Sequence, residues 1–100
     1  MNDKYILDEN HNPILCNDLL KWAEWLEKAD RRVDKTTITE GVEVSTVFLG
    51  LDHSFGEGKP LLFETMVFGG KSDGGMDRYA TWDEAVAGHK KMVEKVKGDL

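Results

Sequence analysis

The last quarter of the chain constrains the fold most. Thr81 and Glu84 stand in the T-x-x-E spacing of a capping box, which satisfies two free N–H groups at a helix start. Behind it, Trp82, Ala85, Val86, His89, Val93 and Val96 recur at helical spacing and form one apolar stripe. Lys90, Lys91, Lys95 and Lys97 crowd the C-terminal half, where the helix dipole favours cations, and Gly98 is placed to stop the helix. An amphipathic helix of this length must lay its stripe on something. Trp82, Val86, His89 and Val93 are therefore expected to face a sheet.

The preceding residues supply that sheet. Residues 33–39 (VDKTTIT) are β-branched, and Glu40-Gly41 turns them into 42–51 (VEVSTVFLGL), a hairpin pattern. Along the second arm the apolar phase runs Val42, Val44, then Val47, Leu49, Leu51. The slip at Ser45-Thr46 predicts a bulge, or burial on both faces beyond it. Residues 61–68 (LLFETMVF) are the most apolar run and are expected at the centre of the sheet, covered on both sides, with 33–39 nearer an edge. Residues 52–59 and 69–78 read as glycine-rich loops, the second with four glycines in ten residues.

Upstream, KYIL (4–7) and PILC (13–16) flank the turn-forming DENHN and read as a small hairpin or two edge strands. A first helix follows, capped by Asn17 or Asp18, with Leu19, Trp22, Ala23, Leu26 and Ala29 as its stripe and Trp25 at the border. The order β-β-α-β-β-β-α predicts a single α+β domain: a mainly antiparallel sheet of three to five strands with both helices on one face.

One hundred residues make one domain, and 40% hydrophobic with 32% charged residues can build a core. The net charge of −6 argues against direct nucleic-acid binding, which depends on Lys and Arg neutralising phosphates. Cys16 is the single cysteine, so an intrachain disulfide and a cysteine metal cluster are excluded; it is expected as a half-buried thiol beside the first helix. The N-terminus lacks a secretory pattern and no apolar run reaches membrane-spanning length, so the expected location is the cytosol.

Four places could carry chemistry. Asp52-His53 pairs a carboxylate with an imidazole, although neighbours on an extended strand point to opposite faces. Glu64 lies among Leu62, Phe63, Met66, Val67 and Phe68, where a buried charge needs a partner; Arg78, Arg31, Arg32 or a ligand could supply it. His89 interrupts an apolar stripe, which is more often a satisfied core position than a ligand. Arg78-Tyr79 with Trp82 sets a cation and two aromatics beside a helix start, an arrangement for an anion and a stacked ring, or simply a packed aromatic pair. No Walker A loop, G-x-S-x-G, H-E-x-x-H or Cys/His metal spacing occurs, so neither a catalytic assignment nor a cofactor follows.

The segments GLDHSFGEGKPLLFETMVFGG (50–70) and RYATWDEAVAGHKKMV (78–93), and more loosely LLKWAEWLEKADRRV (19–33), resemble small proteins encoded by tailed phages and prophages. The resemblance implies no established activity. It marks Asp52, His53, Phe55, Glu64, Arg78, Tyr79 and His89 as the polar and aromatic residues of the matching segments. It also implies an accessory role: a binding protein that counters host defence by sequestering a nucleotide-like signal or blocking a defence protein. A structural or interaction factor of the phage is the alternative, and a small hydrolase a further one.

Trp25, Phe48, Phe55 and Phe68 are more large apolar groups than one small core readily takes, which predicts a homodimer. Loops 52–59 and 69–78 flank opposite ends of 61–68. Asp52, His53 and Phe55 are thus expected to meet Arg78 and Tyr79 only by a turn folding over the sheet, or across a dimer interface.

Overall fold

The computed structural model describes residues 3–54 and 58–100. In chain order the elements are β1 (Tyr5–Leu7), β2 (Pro13–Leu15), α1 (Leu19–Lys28), β3 (Arg32–Thr39), β4 (Val42–Phe48), β5 (Phe63–Phe68), β6 (Met76–Tyr79) and α2 (Trp82–Gly98). Strands β3-β4-β5-β6 form an antiparallel meander, and β1-β2 a separate small hairpin. This is the α+β arrangement the sequence predicts, with β5 internal and β3 at an edge.

Alternation along β4 and β5 decides which face is covered. Val42, Val44, Thr46 and Phe48 are buried on one side, as are Phe63, Thr65 and Val67, while the intervening residues are half-buried or exposed. α2 lies across the covered face with Ala85, His89, Val93 and Val96 buried. The capping box forms as expected: the Thr81 hydroxyl accepts from the Glu84 N–H, and the Glu84 carboxylate accepts from the Thr81 N–H.

α1 joins the same face at one end. Its Trp25 meets Phe48 edge-on with centroids 5.7 Å apart, and the Trp22 indole N–H donates to the Gly50 carbonyl at 3.1 Å. Asp18 caps α1 by accepting from the Lys21 N–H, and Cys16 is half-buried, lining a cleft with α1. The β1-β2 hairpin docks through the Tyr5 N–H, which donates to the Gly50 carbonyl at 2.8 Å. At its tip His11 adopts φ 65° and stacks on Trp82, the centroids 3.8 Å apart and nearly parallel. The Asp8 carboxylate accepts from the Asn10 and Asn12 N–H groups and holds that turn. Those hydrogen bonds, Asn12's first, keep its carboxyl below the ordinary carboxylate range.

Four expectations need correction. β4 does not slip at Ser45-Thr46: its register with β5 is continuous, and the bulges lie in β3 instead. Thr46 keeps the phase because its hydroxyl is hydrogen-bonded inside the core, so the buried residue after it is Phe48 and not Val47. β5 is covered on one face only, because both helices take the same side and leave Phe68 48% exposed. Residues 76–78 are not loop but part of β6, which pairs with β5 from Phe63↔Tyr79 to Met66↔Met76. Gly98 is still helical, and α2 closes at Asp99, whose N–H bonds back to the last turn.

Among the described residues the core has two apolar clusters. Leu7, Phe48, Leu62, Phe63 and Ala85 occupy one end, and Val42, Val44, Val67, Val93 and Val96 the other. Between them, in register, sit three buried polar residues: Thr46 of β4, Thr65 of β5 and His89 of α2.

Candidate functional site

His89 is 1% exposed, so both ring nitrogens need partners inside the protein. Nδ1 lies 2.7 Å from the Thr46 hydroxyl, Thr46 lies 2.6 Å from the Thr65 hydroxyl, and the Tyr79 phenol donates to Thr65 at 3.2 Å. Nε2 lies 2.8 Å from the Thr36 hydroxyl and 3.7 Å from the Asp34 carboxylate. With Tyr79 donating to Thr65, one order that pairs every group runs from Thr65 to Thr46 and from Thr46 to Nδ1, with Nε2–H donating to Thr36. In that order His89 is a neutral imidazole with both nitrogens committed. Burial pulls its pKa down, and the Asp34 charge partly opposes that pull. Burial likewise pushes the Tyr79 phenol up, so it stays a donor.

Tyr79 links this buried chain to the surface. Its ring lines a cleft of about 440 Å³ between β6 and α2, with Met76, Gly88 and Met92 as apolar and small neighbours. Lys91 and Lys95, one helical turn apart, line the same cleft, and among the described residues neither forms an ion pair. Its two acids are already engaged. Asp77 accepts from the Arg78 N–H at 2.9 Å, and Glu84 belongs to the capping box of α2. Seven residues of helix separate Glu84 from Lys91, about 10 Å, so the cationic end stands apart from the acidic one.

The residues singled out by sequence fall into separate settings. Glu64 and Arg78 pair across β5-β6, Nε to Oε2 at 3.0 Å, on the sheet face opposite the helices. Tyr79 points to the other face, so Arg78 and Tyr79, though adjacent, do not share a pocket within one chain. Asp52 ties down its loop by accepting from the Ser54 N–H at 2.8 Å and the Leu61 N–H at 3.0 Å. Burial pushes its carboxyl up, but the Ser54 and Leu61 hydrogen bonds outweigh that and leave it below the ordinary range. The His53 ring Nδ1 is 2.9 Å from the Leu51 carbonyl. Trp82 packs between Phe63 and His11. Phe55 lies outside the described residues.

β6 also changes the expected relation of the loops. Because it runs back along β5, Arg78 and Tyr79 stand at the same end of the sheet as Leu62, whose N–H donates to the Tyr79 carbonyl at 2.9 Å. The segment holding Asp52 and His53 reaches that end too: the His53 N–H donates to Leu61. No second protomer is required to bring these segments near one another.

Sequence reasoning missed Thr36, Thr46, Thr65, Gly88, Lys91 and Lys95. A signal for the threonines was present: a histidine inside an apolar stripe demands partners, and Thr46 sits at the two-residue spacing of Val42, Val44 and Phe48. The molecule is a four-stranded antiparallel α+β domain with a buried hydroxyl–imidazole belt and a cleft at one sheet edge. No family model, curated protein or solved structure matches the chain.

Proposed function

We propose that this domain is a small binding protein whose ligand site is the cleft between β6 and α2, and that it takes a nucleotide-like anion. The observation that carries the reading is the placement of Lys91 and Lys95, free of ion pairs among the described residues, beside Tyr79 and two methionines in one cleft. Such a cleft offers cations for a phosphate and an aromatic and thioether wall for a planar group. Three of the ligand-binding candidates that sequence marks are already engaged: His89 in the hydroxyl chain, Asp52 in its loop and Arg78 with Glu64. Sequestration of a nucleotide-like signal, as the resemblance to phage accessory proteins implies, is the form of binding that fits. Isothermal titration calorimetry against a panel of mono-, di- and cyclic nucleotides, with inorganic phosphate as control, tests it. At least one nucleotide is expected to bind, with affinity falling at least tenfold in Lys91→Gln/Lys95→Gln and no change in melting temperature. Absence of binding across the panel overturns the reading.

A protein-interaction role is favoured by a different observation. On the sheet face away from the helices, Phe68 is 48% exposed. Phe68→Glu would abolish protein capture through that face and leave nucleotide binding intact.

A further inference from the structure

The edges of the two sheets are not treated alike. On β6 the Asp77 carboxylate takes the Arg78 N–H at 2.9 Å, and on β3 the Asp34 carboxylate takes the Lys35 N–H at 2.8 Å. Each outer strand of the meander therefore has an edge donor consumed by its own neighbour, with a negative charge beside it. This is how an edge is closed to strand addition.

β2 has no such protection. Cys16 N–H donates to the Lys4 carbonyl at 2.7 Å and Asp8 N–H to Asn12 at 2.9 Å, so the even-numbered residues of β2 face β1. Tyr5, opposite Leu15, sends its N–H the other way, to Gly50. By the same alternation the N–H and C=O of Leu15 point away from β1. Pro13, the other outward residue of β2, has a carbonyl and no N–H. Leu15 is thus the one residue of β2 with both groups on the open side. Around it Ile14, Leu15, Leu19 and Leu20 are 45%, 55%, 61% and 77% exposed. From Pro13 to Leu20 there is a single charge, Asp18, which caps α1. In a chain with 32% charged residues, an apolar, nearly uncharged strand edge is the exception.

We infer that β2 is a homodimer interface, formed by antiparallel addition of β2 to the β2 of a second copy about a two-fold axis at Leu15. A residue with both N–H and C=O outward is complementary to itself: Leu15 of each copy donates to and accepts from Leu15 of the other. The same register sets each Ile14 opposite the other copy's Cys16, in a pair without backbone hydrogen bonds, where side chains approach most closely. The two hairpins merge into one four-stranded sheet, and Leu19 and Leu20 of both chains flank the seam. Neutrality of the edge lets two chains of net charge −6 approach there. The interface lies away from the β6-α2 cleft and does not depend on the ligand reading. It also replaces the surplus first expected: Phe48 is fully buried and Trp25 packs on it, whereas the exposed aliphatics cluster at β2 and the start of α1.

Sedimentation equilibrium of the full chain, from low-micromolar to millimolar, tests the association, with Leu15→Lys and Leu20→Lys as interface variants and Phe68→Glu as a control on the other apolar face. The wild type and Phe68→Glu are expected to reach twice the 11.3 kDa chain mass, and both lysine variants to stay at one chain mass with unchanged circular dichroism. Ile14→Cys tests the register without loss of a contact: with native Cys16 it should oxidise to a covalent dimer, because opposed residues in such pairs meet disulfide geometry. A monomeric wild type at millimolar concentration overturns the inference. So does a dimer that survives Leu15→Lys but is lost in Phe68→Glu.

Discussion

The ring of Tyr79 lies directly against the backbone of Gly88, with no room for a Cβ between them. Glycine at 88 thus lets the phenol reach Thr65 and close the buried hydroxyl chain.

Two effects oppose each other when Gly88 becomes alanine. Alanine is a better helix former by about 1 kcal/mol. Displacing the ring costs the Tyr79–Thr65 bond, about 1 kcal/mol, and ring packing of similar size or larger. Gly88→Ala is therefore expected to destabilise by about 1–2 kcal/mol in urea denaturation. In a Tyr79→Ala background the same substitution should become stabilising, since only the propensity remains. A stabilising Gly88→Ala in the wild type would show that the ring does not rest there.

Acidification should weaken the fold in a window set by His89. Burial holds its folded pKa below the unfolded value of about 6.5, so the unfolded chain takes up the proton first. Stability from this group is full above about pH 6.5 and declines as pH falls toward the folded pKa. Asp34 on β3 is the charge that faces the ring; Thr36, Thr46 and, through Thr65, Tyr79 are its neutral neighbours. His89→Asn should lower stability at neutral pH but flatten the curve below about pH 6.5. Denaturation midpoints at matched ionic strength measure the difference. A variant that keeps the wild-type slope would exclude His89 as its source.

Much of the fold is legible in the sequence because α2 carries both a cap and a stripe, and because Glu40-Gly41 sits between two β-branched runs. β6 was hidden because MDRY is short, has no apolar alternation and follows four glycines. The site was legible only in part. Thr46 and Thr65 read as polar breaks in strands, yet in a small core a hydroxyl with a hydrogen-bond partner occupies a buried position as well as valine does. Ala85, not Val86, centres the α2 stripe: Ala85 is fully buried and Val86 half-buried, because a small residue there lets the helix approach Phe48 and Phe63. The cleft lysines carry no sequence signal beyond a cationic helix end.

Loss of Asp77 should expose the β6 edge. The Arg78 N–H would be freed, and the negative charge beside it removed. Asp77→Val, adding a β-branched residue to that edge, is expected to raise concentration-dependent light scattering above the wild type. Asp77→Asn, which keeps an acceptor, should raise it less. Equal scattering for the three proteins would show that the edge is guarded by something other than the carboxylate.

The Thr46 hydroxyl is the hinge of the buried chain, since it bonds both the Thr65 hydroxyl and the His89 Nδ1. Thr46→Val changes little in shape but leaves the His89 Nδ1 and the Thr65 hydroxyl without that partner. Each orphaned group costs about 1–3 kcal/mol, so the single substitution is expected to destabilise by about 2–4 kcal/mol, a large share of the stability of a domain this size. Thr65→Val alone orphans the Tyr79 hydroxyl, which lies nearer the surface and can turn to water, and should cost less. The double variant Thr46→Val/Thr65→Val removes the bond between them from both sides, so its cost should fall below the sum of the singles by about 1 kcal/mol or more. Adding His89→Leu removes the last orphaned nitrogen and joins the two apolar clusters into one. That triple variant is expected to recover stability over Thr46→Val at pH 7 and to lose the acid sensitivity together with it. A strictly additive cycle in urea denaturation would mean that the hydroxyls act as separate side chains and not as one chain.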